Sequence, residues 1–386
     1  MIITCKIALR PNKEQEAFFW KCANIARFVY NFSLNTKAEA YKNGVKLDAN
    51  DISKYITQLK NTEDYLWLQS VPFEVTKQAV RDMDDAFKRF FKGAGYPRFK
   101  RKSRATPSFY TRYDTLHSID SKHIKVSGLK QPVKTYESCL INGTPRNPRI
   151  KYDGKYWYLT YGVELIPENS NIPILNKKIK PYGEMQSKDS TGPLGIDLGI
   201  SHTAVCSDGK VYENVNKTPE MKRLKQKKKR LQQQISRKYQ MNKQGDRYVK
   251  TKNIIKQEKK LRLVERRISN IRDTYINQMT SEMVKTKPSK IVIEDLAVSN
   301  MLKNRHLAKY IQEQCWYEIR RQLEYKGQLY NVPVQIASRF YPSTKTCSNC
   351  GGINRDITLE DRVYECPKCG FTIDRDYNAS INLSRL

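Results

Sequence analysis

The sequence predicts a multidomain α/β protein, on three observations: its length, a change of apolar periodicity along the chain, and two cysteine pairs near residue 360. At 386 residues the chain exceeds the size at which one hydrophobic core keeps growing, so two or more domains are expected. Apolar residues recur at helical spacing over 10–95, alternate over 96–170, and mix both periods from residue 194 onward. Cys347, Cys350, Cys366 and Cys369 form two CxxC pairs separated by fifteen residues, the ligand spacing of a zinc ribbon.

The elements follow in order. Residues 2–9 alternate like a strand, and Arg10-Pro11-Asn12 breaks it. From Lys13, the residues Phe18, Phe19, Cys22, Ile25, Ala26, Val29 and Tyr30 predict an amphipathic helix. A second helix is predicted from about Pro72 to Gly93, with Val75, Ala79, Met83, Ala86, Phe87 and Phe90 on one side. A Gly/Pro break at 93–97 leads into the basic run Arg98, Lys100, Arg101 and Lys102 with Phe99 inside it. Alternation over 150–163 around Asp153-Gly154 predicts a hairpin within an antiparallel region, and the Pro- and Ser-containing stretch 169–191 predicts a linker. A strand opens at Leu194, turns at Asp208-Gly209 and returns through Val211. Leu224 with Leu231, and Leu261, Val264, Ile268, Ile271, Tyr275 and Met279, predict a long helical hairpin bent near Gly245. A strand over 290–296, a helix over 307–325 and a strand over 332–340 complete the pattern.

Charge narrows the function. Lys and Arg outnumber Asp and Glu by 71 to 39, a net charge of +32, and such a chain resists compaction unless a polyanion neutralises it. Nucleic acid is the expected partner. The hairpin is the densest stretch, with twenty basic and four acidic residues over 220–272, and Lys227, Lys228, Lys229 and Arg230 are its leading phosphate-contact candidates. A basic ribosomal or membrane-surface protein is the plain alternative, and isolated acids at strand ends argue against it. No apolar run reaches about twenty residues and no secretory core follows Met1, so a soluble intracellular protein is expected. Cys5, Cys22, Cys139, Cys206 and Cys315 have no partner at ligand spacing and read as core or surface thiols. No P-loop is present, and His117, His123, His202 and His306 do not cluster.

Three acids stand apart from that basic background. Asp197 lies in the glycine-flanked strand Gly195-Ile-Asp197-Leu-Gly199, Glu294 ends the apolar run Ile291-Val-Ile, and Asp376 sits just before a predicted final helix. Asp197 leads into the turn at Asp208-Gly209 as the opening hairpin of an RNase H-like sheet would. Phosphodiester hydrolysis is limited by charge on the phosphoryl oxygens and by weak water nucleophilicity, and two divalent ions about 3.5 to 4 Å apart address both. Carboxylates suit them, because Mg²⁺ is hard and prefers oxygen; Mn²⁺ is the alternative. Taken singly each acid has a plain reading: Asp197 as a turn residue, Glu294 or Asp295 as a cap, Asp374 or Asp376 as the cap of the last helix. Asp376 is favoured as ligand, leaving Asp374 with Arg375 as a structural pair. The four cysteines would close a tetrahedral Zn²⁺ site with no open position, hence structural. Ser343-Thr344-Lys345 either binds phosphate or caps a turn.

Gly195-Ile-Asp197-Leu-Gly199-Ile200, Ile293-Glu294-Asp295-Leu296, the CSNCG and CPKCG knuckles with Leu359, Arg362 and Tyr364 between them, and Asp374-Arg-Asp376-Tyr-Asn378-Ala together resemble the TnpB (OrfB) family of transposon-encoded proteins. Arg27-Phe-Val-Tyr30-Asn31 and Tyr96-Pro-Arg98-Phe99-Lys100 extend the resemblance to nearly the whole chain; Ser380 stands where alanine is usual. The resemblance implies an RNA-guided DNA endonuclease related to type V CRISPR effectors. Implied domains are a wedge β-barrel over 1–9 and 96–180, an inserted helical recognition domain over 10–95, and a RuvC-like nuclease domain over 190–386 with the basic hairpin at 219–287 and the zinc ribbon at 340–372. Asp197, Glu294 and Asp376 occupy the catalytic positions. The implied partners are a guide RNA from the transposon right end and double-stranded target DNA beside a short motif, with Lys77 and Arg81, one helical turn apart, as candidate motif readers. A monomer in the prokaryotic cytoplasm or nucleoid is implied. The alternatives are a guided DNA-binding repressor that does not cut, and a transposase accessory protein acting without RNA.

Overall fold

A computed structural model of the chain describes residues 2–102, 105–139, 141, 144–164, 192–358 and 360–386. It divides into two compact units, Met1–Met185 and Gln186–Leu386. The linker expected over 169–191 and the motif residue Leu359 lie outside the described residues.

The first unit opens with β1 (Ile2–Arg10), whose alternation buries Cys5, Ile7 and Leu9. Asn12 then caps α1 (Lys13–Lys42): its Oδ1 accepts from the Gln15 N–H at 2.8 Å, and the Gln15 side chain accepts from the Asn12 N–H at 3.0 Å. α2 (Ala49–Leu59), a 3₁₀ stretch over Glu63–Ser70 and α3 (Phe73–Phe90) follow. α2 has no periodic signal in the sequence, because only Ile52 and Ile56 are buried along it and two residues set no clear period. The remaining strands are β2 (Ser108–Tyr110), β3 (His117–Asp120), β4 (His123–Lys125), β5 (Val133–Thr135), β6 (Arg146–Tyr152) and β7 (Trp157–Glu164). With β1 they form one antiparallel sheet in the order β2-β6-β7-β1-β5-β4-β3. The edge strands β2 and β3 do not pair with each other among the described residues. Because β1 sits mid-sheet, paired with β7 from Ile2↔Glu164 to Leu9↔Trp157, the three helices are an excursion between strands of one sheet. Helices and sheet share a core: the Phe19 ring of α1 lies 5.6 Å from Phe109 and 5.3 Å from Trp157. Each such ring contributes about 2 kcal/mol when fully removed from water.

The second unit begins with β8 (Leu194–Asp197), β9 (His202–Cys206) and β10 (Val211–Glu213). The chain therefore reverses twice where the sequence predicted one turn. Asp208-Gly209 joins β9 to β10, with Gly209 at φ +85°, and an earlier turn at 198–201 is masked in the sequence by the apolar Leu198 and Ile200. The basic hairpin is α4 (Pro219–Met241), a short ribbon of β11 (Lys243–Gln244) and β12 (Arg247–Tyr248), and α5 (Lys252–Lys285). Met221 and Leu231 of α4 pack with Val264 and Ile268 of α5, whereas Ile276, Met279 and Met283 further along α5 enter the core of the sheet. One heptad pattern thus serves two partners. β13 (Ile291–Ile293), α6 (Val298–Met301), α7 (Ala308–Gln314), α8 (Trp316–Tyr330) and β14 (Val334–Ile336) follow. The single helix predicted over 307–325 is broken at Cys315, which takes φ +55° with no Gly or Pro to announce it. The sheet order is β10-β9-β8-β13-β14, with β8, β13 and β14 mutually parallel and β9 antiparallel to both its neighbours. After the cysteine segment, with β15 (Val363–Glu365) and β16 (Thr372–Asp374), α9 (Arg375–Ser384) crosses β8. A Cβ at Gly195 would fall 2.0 Å from Ser380 O and 2.4 Å from Ser384 N, so this close crossing needs glycine. Among the described residues no helix is long and apolar enough to cross a membrane.

Candidate active site and cysteine cluster

Parallel pairing sets the geometry of the acids. β8 and β13 align Ile196 with Ile293, so Asp197 and Glu294 occupy equivalent positions at the same strand ends. α9 brings the third acid. Asp374 caps that helix, accepting from the Tyr377 N–H at 2.9 Å, and Asp376 follows in the first turn. Arg375 pairs with Asp376, its Nη2 donating to Asp376 Oδ1 at 2.8 Å, where the sequence suggests Asp374 as its partner. Arg362 lies a further 3.8 Å from Asp376 Oδ2.

Asp197 is 7% exposed. Burial and the neighbouring charges of Glu294 and Asp376 push its carboxyl well above the usual carboxylate range. Burial also raises Glu294, against the opposing hydrogen bond from Ser343, and Asp376 raises it further. The adjacent Asp295 is used differently, bound by Arg339 at 2.6 Å and Arg320 at 3.5 Å. The three carboxylates repel one another but are not gathered as tightly as the cysteines; Asp376 is drawn to Arg375 and Glu294 to Ser343. Asp197 is buried and Glu294 and Asp376 half-buried, and their hard oxygen donors fit Mg²⁺ or Mn²⁺. A cleft lined by Glu294, Leu296, Ala337, Ser338, Arg339 and Tyr341 opens beside Glu294.

The four cysteines offer sulfurs that all lie within 4.8 Å of one another. Cys347 and Cys369 Sγ are 3.8 Å apart, and Cys350 and Cys366 Sγ are 3.6 Å apart. A tetrahedron with Zn–S bonds of about 2.3 Å has S–S edges of about 3.8 Å, so the group fits Zn²⁺. Each knuckle closes identically: Gly351 N–H donates to Cys347 O, and Gly370 N–H to Cys366 O, both at 2.9 Å, with φ of +72° and +70°. Burial alone would raise the Cys366 thiol, but backbone N–H groups of Cys369 and Lys368 help lower it to about 6, while against the Gly352 N–H the hydrogen bonds with Cys369, Cys366 and Cys347 raise Cys350 to about 11; the cluster thus favours the thiolate at Cys366 over Cys350. Cys5, Cys22, Cys139 and Cys206 are buried thiols and Cys315 is half-buried.

Two asparagines one turn apart fasten this cluster to α9. Asn378 accepts from the Ser348 N–H at 2.9 Å and donates to Thr346 O at 2.7 Å, while Asn382 donates to Ser343 O at 2.8 Å and Thr346 O at 2.6 Å. Both are buried, on a helix face where apolar residues would ordinarily pack. Sequence reasoning noted Asn378 only as part of a motif and missed Asn382; two asparagines at i and i+4 on an otherwise apolar face were the available signal. It also left Ser343 as a phosphate contact or turn cap. Ser343 Oγ in fact donates to Glu294 Oε1 at 2.7 Å.

The basic candidates separate by environment. Lys77 and Arg81 are exposed on α3, as are Arg98, Arg101 and Lys102 beyond it. Lys100 is turned inward, its Nζ 3.6 Å from the Tyr30 ring centroid, and burial lowers its pKa. Its backbone N–H donates to Asn31 Oδ1 at 2.7 Å and its carbonyl accepts from Asn31 Nδ2 at 3.1 Å, joining the two N-terminal motifs. On α4, Lys227, Lys229 and Arg230 are exposed, whereas Lys228 pairs with Glu265 at 3.0 Å. His202 stands 3.8 Å from Glu213.

Comparison with known proteins agrees over most of the chain. Residues 316–383 match the "Cas12f1-like, TNB domain" family, residues 175–305 the OrfB_IS605 "Probable transposase" family, and residues 1–46 its "Helix-turn-helix domain". The chain is 29% identical to the "Putative RNA-guided DNA endonuclease InsQ" of Escherichia coli (strain K12), covering 98% of this chain and 90% of that protein. It is 28% identical to a Streptomyces pristinaespiralis protein of the same description, covering 98% and 87%. In fold it is similar to a chain of a cryo-EM Cas12f1–sgRNA–target DNA complex, with a TM-score of 0.56 at 15% identity over 97% of this chain and 83% of that one.

Proposed function

The chain belongs to the TnpB (OrfB) family, and on that premise we propose that it is an RNA-guided DNA endonuclease of an insertion sequence. The observation that carries the reading is Asp197, buried at a strand end beside Glu294 and Asp376 so that all three would hold divalent ions. The second unit is read as a RuvC-like nuclease domain of RNase H-like topology, which its strand order and single antiparallel inner strand support. The first unit is read as a wedge-type sheet carrying the helical recognition segment.

When bound, Mg²⁺ or Mn²⁺ supplies water activation and neutralises charge building on the phosphoryl and leaving oxygens. The chain's own contribution is placement. Parallel strands hold Asp197 and Glu294 side by side, and α9, seated on Gly195 through Ser380 and Ser384, carries Asp376 in its first turn. Exposed basic residues of α3, the 98–102 run and α4 meet RNA and DNA phosphates, whose backbone charge is read without sequence. Base pairing with the guide then supplies specificity. The four thiolates fill a zinc shell completely, so that ion serves architecture.

The test combines the purified protein with its guide RNA, Mg²⁺ and a plasmid carrying the target beside the adjacent motif. Cutting is expected only when guide and divalent ion are both present, from a protein that copurifies with one homogeneous RNA. Tight guided binding without nicking in Mg²⁺ or Mn²⁺ would replace this reading with a repressor; cutting without RNA would replace it with an unguided transposase function.

A further inference from the structure

We propose that Ser343 is a positioning residue through which the cysteine ribbon presents Glu294 to a divalent ion. This deepens the metal-dependent reading above and rests on it. Ser343 is 3% exposed, so its hydroxyl is shielded from bulk solvent. Its Oγ donates to Glu294 Oε1 at 2.7 Å, and among the described residues no hydrogen bond or ion pair engages Oε2. A hydrogen bond at one oxygen restricts rotation of the carboxylate and leaves the other oxygen free to take a metal ion. Hydrogen bonds of this kind raise the share of productive ligand orientations, and their loss costs about ten- to a hundredfold in metal affinity.

The backbone of Ser343 is fixed in turn. Its carbonyl accepts from Asn382 at 2.8 Å, and its N–H donates to Tyr341 O at 2.9 Å, while the Tyr341 hydroxyl donates to Asn382 O at 3.1 Å. Asn382 also holds Thr346, the residue before Cys347, and its neighbour one turn back, Asn378, holds Ser348 just after it. One helix face therefore grips both sides of a metal-binding cysteine and the serine that orients Glu294. The same helix carries Asp376 two residues before Asn378. The ribbon and two of the three acids form one mechanical unit.

The experiment measures Mn²⁺ binding by electron paramagnetic resonance on the full chain with its copurified RNA. The wild type is compared with Ser343→Ala, Ser343→Thr and Asp197→Ala, with zinc content measured alongside. Ser343→Ala is expected to weaken Mn²⁺ binding about tenfold, Ser343→Thr to restore it by returning a hydroxyl, and zinc and RNA content to stay at wild-type levels. Unchanged Mn²⁺ affinity in Ser343→Ala, where Asp197→Ala abolishes binding, would overturn this proposal alone. Mn²⁺ binding that ignores Asp197→Ala would overturn the carboxylate metal site and this proposal with it.

Discussion

Within the second unit, the cysteine cluster draws its ligands from a short stretch of chain, while the carboxylate trio draws them from three distant ones. The cysteines come from two knuckles of identical hydrogen bonding, and their sulfurs already stand at tetrahedral spacing. The carboxylates depend on parallel strand register, a glycine that admits α9, and side chains such as Ser343 and Arg375 that hold each acid apart. A locally encoded site is preformed by its own turns; a dispersed site is only as accurate as the scaffold beneath it. The two are joined through Asn378 and Asn382, so the comparison is open to experiment.

Breaking the local site should disturb both. Cys347→Ser is expected to remove zinc, from one ion per chain to near zero, and to lower plasmid cutting at least about tenfold, because the peptide groups held by Asn378 and Asn382 lose their anchor. Metal analysis with a cleavage assay reads both. Zinc loss with full cutting would show that the sites are independent. Gly195→Ala attacks the dispersed site from the opposite side. Its Cβ has backbone atoms 2.0 and 2.4 Å away, so it should cost about 1–3 kcal/mol and lower the melting temperature by several degrees, with cutting reduced and zinc retained.

A third test uses pH. The folded-state pKa of Asp197 is raised, so the folded chain holds that proton more tightly than the unfolded chain does. Stability should therefore fall, in buffer free of added divalent ions, as pH rises from about 3.9 through the raised value. Asp197→Asn removes this penalty and is expected to raise the melting temperature at pH 7 while abolishing cutting. Thermal melts across pH read the difference; a variant less stable than the wild type at pH 7 would contradict the assigned repulsion. The smallest effect lies outside both sites. Replacing Lys227, Lys229 and Arg230 with Gln should reduce the salt slope of RNA binding by about 2 to 3, with a several-fold loss of affinity and no loss of zinc.

The same contrast explains what the sequence disclosed. The cysteine pairs were legible because ligand spacing and the glycines after Cys350 and Cys369 are written within one segment. Asp197 and Glu294 stand out in the sequence as carboxylates ending apolar runs, where a charge needs a reason, and Asp376 by its place just before the last helix. Neither the alignment of Asp197 with Glu294 nor the Ser343 contact could be read, since both arise from pairing of segments far apart in the chain. The turn at 198–201 was hidden by its own apolar residues, and the break at Cys315 by the absence of Gly or Pro. Lys100 looked like a phosphate contact from its neighbours in sequence, yet Tyr30 and Asn31 of α1 draw it inward.

On the proposed reading, Asp197, Glu294 and Asp376 act as one metal centre that cuts DNA chosen by RNA. Its most direct test is guide-directed plasmid cleavage by the three single variants Asp197→Ala, Glu294→Ala and Asp376→Ala, with target binding measured in parallel. Each is expected to lose cutting by at least about a thousandfold, equivalent to about 4 kcal/mol of transition-state stabilisation, while still binding the guided target. Near wild-type cutting by any one of the three would contradict the account.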